Sequence, residues 1–291
     1  MTLRRYLQLD VFADRPGAGN PLAVVLDADG LSNDAMQAIA RWTRLPETTF
    51  VRQAANNDAD YGIRIFSPRR EVPFAGHPSV GTAHAALALG IAVPRGGLLV
   101  QDGIAGKLPL RVQGEGKHRT IAVRTPRASL LRSGSQEEPL LAAALAGLPL
   151  GELPPALMDG GRRWWLVELA DEASLRDATP DWKAIAALAA DTDSMGLCVF
   201  ARSSDAVYYL AVRAWVGAPG CFEDAASGAA NATLAAWLAM RDALPRPDGF
   251  YRISQGREVG HDAIIELQVD DAGDVWSGGR VVTVVTGTID W

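Results

Sequence analysis

The sequence predicts an α+β protein built from two similar halves. Strand-like and helix-like segments are mixed along its 291 residues, without the regular alternation that a parallel, doubly wound sheet requires. One arrangement of segments also recurs about half a chain length later, which indicates an internal duplication. In both copies an alanine-rich helix follows a glycine. We therefore expect two α+β halves of the same architecture.

The first half can be divided into elements in chain order. The helix is predicted from Ser32 to Trp42, because Ser32 can cap it and Met36, Ile39 and Ala40 repeat at helical spacing. A turn at Asn20-Pro21 separates the first two strands. The predicted strands cover residues 7–12, 22–26, 48–53 and 61–66, and an alanine-rich helix begins at residue 76.

The same order returns in the second half. Both halves have the same order of elements: a strand that carries an arginine, a second such strand, a loop, and an alanine-rich helix that begins with a glycine. The corresponding residues are Arg52 and Arg202, Arg64 and Arg213, and Gly76 and Gly228. A single repeat of this length indicates duplication, because a solenoid repeats every 20–50 residues or so.

The boundary between the halves is predicted within residues 124–155. This stretch is rich in Pro, Ser and Gly, and it ends in a short leucine- and alanine-rich helix. We assign residues 1–125 to the N-terminal half and residues 126–291 to the C-terminal half. We leave open that the last strand of the chain returns to the N-terminal half.

Composition and charge exclude several classes of function. The net charge of −6 gives no electrostatic basis for binding nucleic acid. No apolar stretch is long enough to cross a membrane, and the N-terminus lacks the pattern of a secretory signal. The two cysteines, Cys198 and Cys221, have no metal-ligand spacing and fit a reducing compartment. We expect a cytoplasmic protein without membrane or nucleic-acid partners.

The two glycine-opened helices predict where a ligand binds. Glycine lets the backbone approach a ligand closely, and the first turn of a helix presents N–H groups and a positive dipole end. The two starts are FAGHPS at residues 74–79 and EDAASGAA at residues 223–230. Duplication would bring both to one cleft between the halves, so we expect a small anionic substrate to bind there.

Several segments resemble the PhzF-like proteins of phenazine biosynthesis. These are DVFADRPGAGNPLAVV at 10–25, PETTF at 46–50, IFSPRREVPFAGHP at 65–78, EDAASGAA at 223–230 and QG at 255–256. The likeness extends over nearly the whole chain. It implies a diaminopimelate-epimerase-like fold, in which each half is a curved, mostly antiparallel sheet around one central helix and the active site lies in the cleft between the halves. It also implies an isomerase that moves a proton without metal or other cofactor, and a homodimer. Related amino-acid epimerases use two cysteines at the helix starts, where this chain has Ala75 and Ser227.

The resemblance also implies three catalytic residues. Glu47 matches the catalytic glutamate of the family, and a buried glutamate can have its pKa raised towards the working pH. His77, at a helix start, would be a hydrogen-bond partner or proton relay. Asp224 matches the aspartate on the opposite wall and would bind a substrate amine or hydroxyl. His84 is expected to be structural, and His118 and His261 carry no signal of a site.

The substrate carboxylate is expected at the helix starts. The residues assigned to binding it are Gly76, Ser227, Gly228 and Ala229. The chain departs from the family pattern at Ala225, where proline is usual, and at Ala229, where serine is common. We therefore expect a small acid other than the family's namesake substrate.

Two alternatives remain open from the sequence. The chain could be an amino-acid or hydroxy-acid epimerase that works without catalytic cysteines, or a small-molecule-binding protein that has no turnover. A metal hydrolase is disfavoured because no HExxH-type ligand spacing occurs. A nucleotide enzyme is disfavoured because the phosphate-binding glycine motifs are missing.

Overall fold

The computed structural model describes residues 2–134, 138–218 and 220–291. The chain divides into two compact units. The first contains residues 1–124 and 278–291, and the second contains residues 125–277. Part of the predicted boundary segment, residues 135–137, lies outside the described residues.

The first unit contains one mixed sheet and two helices. Its elements, in chain order, are β1 (Leu3–Val11), β2 (Asn20–Val25), α1 (Asn33–Thr43), β3 (Glu47–Arg52), β4 (Tyr61–Phe66), β5 (Glu71–Val72), α2 (Gly76–Ala88), β6 (Leu98–Gly103), β7 (Gly106–Gln113) and β8 (Thr120–Arg124). Strands β2 and β3 are parallel, as are β4 and β6, whereas β1–β2, β3–β4, β4–β5, β6–β7 and β7–β8 are antiparallel. Ser32 caps α1 by accepting a hydrogen bond from the Ala35 N–H, as predicted.

The second unit repeats this arrangement. Its elements are β9 (Ser129–Ser133), α3 (Pro139–Ala144), β10 (Ala156–Asp159), β11 (Arg163–Glu168), α4 (Glu172–Asp177), α5 (Trp182–Thr192), β12 (Gly196–Arg202), β13 (Leu210–Val216), β14 (Phe222–Asp224), α6 (Gly228–Met240), β15 (Phe250–Gln255), β16 (Ala263–Val269) and β17 (Val275–Gly279). The pairs β11–β12 and β13–β15 are parallel, whereas β12–β13, β13–β14 and β15–β16 are antiparallel.

The strand registers of the two units also correspond. In the first unit, Phe66 lies opposite Glu71 and Ile65 lies opposite Val72. In the second unit, Trp215 lies opposite Glu223 and Ala214 lies opposite Asp224. The offsets between these residues match those of the repeated sequence motifs, so the duplication that the sequence predicts is present in the structure.

One helix is buried at the centre of each unit. Helix α2 contacts β1, β2, β3, β4, β6 and β8, and α6 contacts β10, β11, β12 and β16. Neither helix contains Asp, Glu, Lys or Arg, and buried residues occur around most of each helix. A helix that is apolar all round is stable only when it is surrounded by protein. No helix in the described part of the chain is long and apolar enough to cross a membrane.

The last strand belongs to the first unit. Strand β18 (Val281–Asp290) pairs antiparallel with β1 from Leu3 to Val11, with one irregularity between Gln8 and Leu9. The terminal residues extend the pairing, because the Thr2 N–H donates to the Trp291 carbonyl at 3.2 Å. The sheet of the first unit is therefore completed by the last strand of the chain.

Candidate active site

Glu47 and His77 lie together in the first unit. Glu47 is the first residue of β3 and is only 9% exposed, and His77 is the second residue of α2 and is 6% exposed. The Oε2 atom of Glu47 is 3.4 Å from Nε2 of His77. The structure therefore brings these two predicted site residues together as a buried carboxyl and imidazole.

Threonine hydroxyls hold β3 in place beneath these side chains. The hydroxyls of Thr43 and Thr48 are 2.8 Å apart and join the end of α1 to β3. The Thr82 hydroxyl donates to that of Thr49 at 2.8 Å and joins α2 to β3. Because Glu47 directly precedes this tethered pair, its backbone is fixed relative to the helix that carries His77.

The first turn of α2 is held through its backbone. Ala75 is the N-cap residue and makes no side-chain capping bond. Its carbonyl accepts hydrogen bonds from the Ser79 N–H at 3.2 Å and the Ser79 hydroxyl at 3.0 Å. The buried Gln101 amide of β6 donates to the same hydroxyl at 3.0 Å. The N–H groups of Gly76 and His77 belong to the first turn, where a helix has no acceptors of its own.

The hydrogen bonds around Glu223 and Asp224 give these neighbours different roles. Glu223 forms a two-pronged ion pair with Arg213 of β13, at 3.0 and 2.7 Å, and both side chains are almost fully buried. The Arg213 guanidinium also donates to the carbonyls of Leu175 and Ala178. Asp224 is half-buried, and its Oδ1 accepts from the Ala226 N–H at 3.3 Å. Glu223 is thus a structural anchor for the residue next to it.

The first unit contains the equivalent ion pair. Arg64 of β4 binds both carboxylate oxygens of Glu71 in β5, each at 2.6 Å. Residues 73–75 connect β5 directly to the start of α2. In both units, therefore, an Arg–Glu pair holds the short strand that precedes the central helix. The two arginines are visible in the sequence as markers of duplication, whereas their glutamate partners were not predicted.

Ser227, Gly228 and Ala229 form the start of α6. Ser227 is the N-cap residue, and its hydroxyl oxygen accepts from the Ala230 N–H at 3.3 Å. The Ser227 N–H donates to the Gln255 side chain at 3.2 Å. Since that N–H group is used within the protein, the N–H groups of Gly228 and Ala229 are the ones that this helix start can offer to an anion.

Gln255 is a site-region residue whose role the sequence analysis did not assign. It is fully buried at the end of β15, and its Nε2 donates to the Asp224 carbonyl at 2.8 Å. Its Oε1 accepts from the Ser227 N–H and from the Asn231 amide, the latter at 2.7 Å. The QG motif at 255–256 was the available signal, but a motif does not show which groups a buried amide binds.

The remaining candidate groups are separate from these clusters. The His84 Nε2 is 3.0 Å from the Thr283 hydroxyl, and burial together with nearby Arg119 lowers the pKa of His84 to about 4. Cys198 is buried, which raises its thiol pKa to about 12, and Cys221 is exposed. Neither cysteine occupies the N-cap positions of Ala75 and Ser227. Within residues 2–134, 138–218 and 220–291, no three His, Cys, Asp or Glu side chains are grouped to hold a metal ion.

A cavity of about 720 Å³ in the first unit lies at the other end of β3. Arg5, Asp27, Arg52 and Arg95 are among its lining residues, and it contains none of the predicted site residues. Arg5 is paired with Asp27 at 2.7 Å across this surface. The cavity is therefore distinct from the acid/base pair.

The phenazine biosynthesis-like protein family model matches residues 9–287. The chain belongs to this family. An isomerase of Pseudomonas aeruginosa named for trans-2,3-dihydro-3-hydroxyanthranilate is 33% identical to it, over 94% of this chain and 92% of that protein. A Schizosaccharomyces pombe protein named antisense-enhancing sequence 1 is 31% identical, over 99% of both chains.

The fold of this phenazine biosynthesis-like protein is shared with a solved family member. The crystal structure of a PhzF family protein from Bacillus anthracis matches 100% of both chains with a TM-score of 0.82 and 24% sequence identity. The epimerase-like α+β fold predicted from the resemblance is confirmed. The prediction of an isomerase is confirmed as well, at the level of the family.

Proposed function

We propose that this family member is a cofactor-independent isomerase that moves a proton on a small carboxylate-bearing substrate. The observation that carries the proposal is the buried Glu47 carboxyl, 3.4 Å from the His77 imidazole at the start of α2. Glu47, His77 and Asp224 are the catalytic residues of this proposal. Gly76, Ser227, Gly228 and Ala229 are its substrate-binding residues.

The proposed reaction needs one group that takes and returns a proton. The Glu47 carboxylate removes a proton from a substrate C–H bond and becomes neutral, and the electron pair is delocalised into the substrate. Glu47 then returns the proton to another carbon, which moves a double bond, and recovers its charge. The His77 ring, with its Nε2 3.4 Å from the Glu47 Oε2, is proposed to hold this carboxyl in one orientation, which general acid/base catalysis requires.

The substrate carboxylate is proposed to bind at the helix starts. First-turn N–H groups of a helix favour an anion through their hydrogen bonds and the helix dipole. Gly76 in the first unit, and Gly228 and Ala229 in the second, lie in such turns. Their lack of bulky side chains leaves the backbone accessible. Ser227 would contribute its hydroxyl hydrogen, because its hydroxyl oxygen and its N–H already have partners within the protein.

Asp224 is proposed to bind an amine or hydroxyl of the substrate. The ion pair between Glu223 and Arg213 anchors the preceding residue, so that Asp224 is held on a fixed turn. A carboxylate there would select a substrate that carries a hydrogen-bond donor as well as a carboxylate. The P. aeruginosa relative is named for a compound with both kinds of group. Because the chain has Ala225 and Ala229 where the family usually has proline and serine, we still expect a small acid other than the family's namesake substrate.

Deuterium incorporation tests the proposal. Wild type and Glu47→Gln are incubated in D2O with trans-2,3-dihydro-3-hydroxyanthranilate and a panel of small amino and hydroxy acids, and exchange is followed by NMR. We expect exchange by wild type and a loss of roughly 10²–10⁴-fold in Glu47→Gln, the usual contribution of a positioned acid/base. Glu115→Gln, an exposed site in the same unit, is the matched control and should retain the wild-type rate.

The position of the label separates the reaction types. Deuterium at a new carbon supports double-bond migration, whereas deuterium with inversion at the original carbon supports an epimerase. Equal exchange by wild type and Glu47→Gln would refute the assignment of Glu47.

The assembly and location predicted from the sequence belong to the same proposal. We propose a homodimer, on the basis of the family resemblance, and light scattering of the purified protein measures its mass directly. We also propose a cytoplasmic location, with the two free cysteines, Cys198 and Cys221, as support.

A further inference from the structure

The Gln255 side chain binds the turn that carries Asp224 at two points. Its Nε2 donates to the Asp224 carbonyl at 2.8 Å, and its Oε1 accepts from the Ser227 N–H at 3.2 Å. The Asn231 amide donates to the same Oε1 at 2.7 Å and to the Ser227 carbonyl at 2.8 Å. One fully buried amide thus joins the end of β14 to the first turn of α6.

An amide satisfies this set of partners because it provides a donor and an acceptor at once. The Asp224 carbonyl requires a donor, and the Ser227 N–H and Asn231 amide require an acceptor. An ionised glutamate at this position would have no donor for the Asp224 carbonyl. Leucine would leave the Asp224 carbonyl, the Ser227 N–H and the Asn231 amide without their hydrogen bonds to residue 255. A buried donor or acceptor left unsatisfied costs about 1–3 kcal/mol, so the amide strongly favours one conformation of the turn.

The residue after Gln255 supports the same turn from its other side. Gly256 has a φ of +95°, and a Cβ built there would lie 2.3 Å from the Ala225 carbonyl oxygen. The end of β15 is therefore in close contact with the residue that follows Asp224. Together with the Glu223–Arg213 ion pair, these contacts fix the backbone on both sides of Asp224.

We propose that Gln255 is a positioning residue for Asp224. It sets the direction of the Asp224 carboxyl, and it does so without touching the substrate itself. This inference rests on the proposed function, in which Asp224 binds the substrate. A displacement of about 1 Å in such a group costs on the order of 10²-fold in rate.

A double-mutant cycle tests the inference. The kcat/KM of wild type, Gln255→Leu, Asp224→Asn and the double variant is measured on trans-2,3-dihydro-3-hydroxyanthranilate or on the panel acid that exchanges fastest. We expect each single variant to lose roughly 10–100-fold. The double variant should be no slower than Asp224→Asn, because Gln255 acts through Asp224.

Amide hydrogen exchange gives a readout that does not depend on turnover. In Gln255→Leu we expect faster exchange over residues 224–231 and unchanged exchange in the first unit. Gln268→Leu is the matched control: its amide also donates to backbone carbonyls, those of Asp248 and Val269, but at the other end of the β15–β16 pair. If Gln255→Leu does not fold, Gly256→Ala disturbs the same turn and replaces it in the cycle.

Two results would overturn the inference. The first is a double variant whose loss equals the product of the two single losses, which would make Gln255 independent of Asp224. The second is unchanged exchange over residues 224–231 in Gln255→Leu. A failure of the proposed function is separate, since it would show as full activity of Glu47→Gln.

Discussion

At the residue scale, hydrogen-bond partners separate groups of the same chemical type. Glu223 and Asp224 are neighbours, yet Glu223 is committed to Arg213 while Asp224 lies on the turn before α6. His77 and His84 lie on the same helix, but His77 faces a carboxyl and His84 faces a hydroxyl. In each pair the residue type and the sequence context are similar. Only the hydrogen-bond and ion-pair partners therefore distinguish the candidate site residue from its neighbour.

The low pKa of His84 predicts that stability depends on pH. Its pKa is about 4 in the folded chain, against about 6.5 for an ordinary histidine, because burial disfavours the charged ring. The unfolded chain therefore binds a proton that the folded chain does not, and stability falls as the pH drops from 6.5 towards 4. The full effect is on the order of 3 kcal/mol.

Urea unfolding between pH 7.5 and pH 4.5 measures this effect. His84→Gln keeps a polar group near Thr283 and should lose this part of the pH dependence. His118→Gln, at an exposed position, should behave as wild type. An identical pH dependence in all three proteins would show that His84 does not contribute.

At the element scale, the two Arg–Glu pairs hold equivalent short strands in different surroundings. The Arg213 and Glu223 side chains are 6% and 4% exposed, whereas those of Arg64 and Glu71 are 18% and 23% exposed. Breaking a buried pair leaves an uncompensated charge and costs about 3–5 kcal/mol, and a more exposed pair costs less because water screens it. We expect Glu223→Gln to destabilise the protein by more than Glu71→Gln does.

Chemical denaturation of the two variants gives this comparison directly, with wild type as the reference. The two substitutions are chemically identical, so the difference between them reports on burial. Equal losses, or a larger loss in Glu71→Gln, would contradict the prediction.

The close packing of α2 predicts a second difference. A Cβ at Gly81 would lie 2.5 Å from the Leu22 Cδ2 and 2.8 Å from the Val11 Cγ2, so Gly81→Ala forces these buried side chains or the helix to shift. Overpacking costs about 1–3 kcal/mol, which exceeds the gain in helix propensity of at most about 1 kcal/mol. A decrease in Tm should follow. Gly287→Ala, with nothing within 4 Å, is the control and should leave Tm nearly unchanged.

Much of the element order could be predicted from the sequence, because local signals determine it. Ser32 caps α1, and the predicted strand at 61–66 coincides with β4 (Tyr61–Phe66). Strand β9 was not predicted, since residues 129–133 are exposed and lie in a segment with the composition of a linker. The glutamate partners of Arg64 and Arg213 were missed for another reason. An ion pair between two strands depends on register, which motif spacing alone does not give.

At the scale of the whole molecule, the first unit depends on both ends of the chain. Its strand β1 pairs with β18, and the intervening 153 residues of the second unit, from Thr125 to Ser277, form their own compact body. The sequence analysis allowed for a returning last strand. The pairing itself is a contact between residues almost a full chain length apart, which no local pattern reveals.

This dependence predicts the effect of a truncation. Removal of residues 281–291 exposes the hydrogen-bonding edge of β1 and removes Thr283 from His84. We expect hydrogen exchange to increase throughout residues 3–11 and in α2, while residues 156–168 and 196–216 keep their protection. Uniform loss of protection across both units would contradict this expectation, as would retained protection in β1.

The return of β18 to β1 also sets an order of events during synthesis. All residues of the second unit are synthesised before residues 278–291, so the first unit still lacks its last strand when the second unit has been made. Domains usually fold in the order in which they are made. The first unit is therefore translated first but completed last. Its strand β1 cannot pair with β18 until residues 281–290 have emerged.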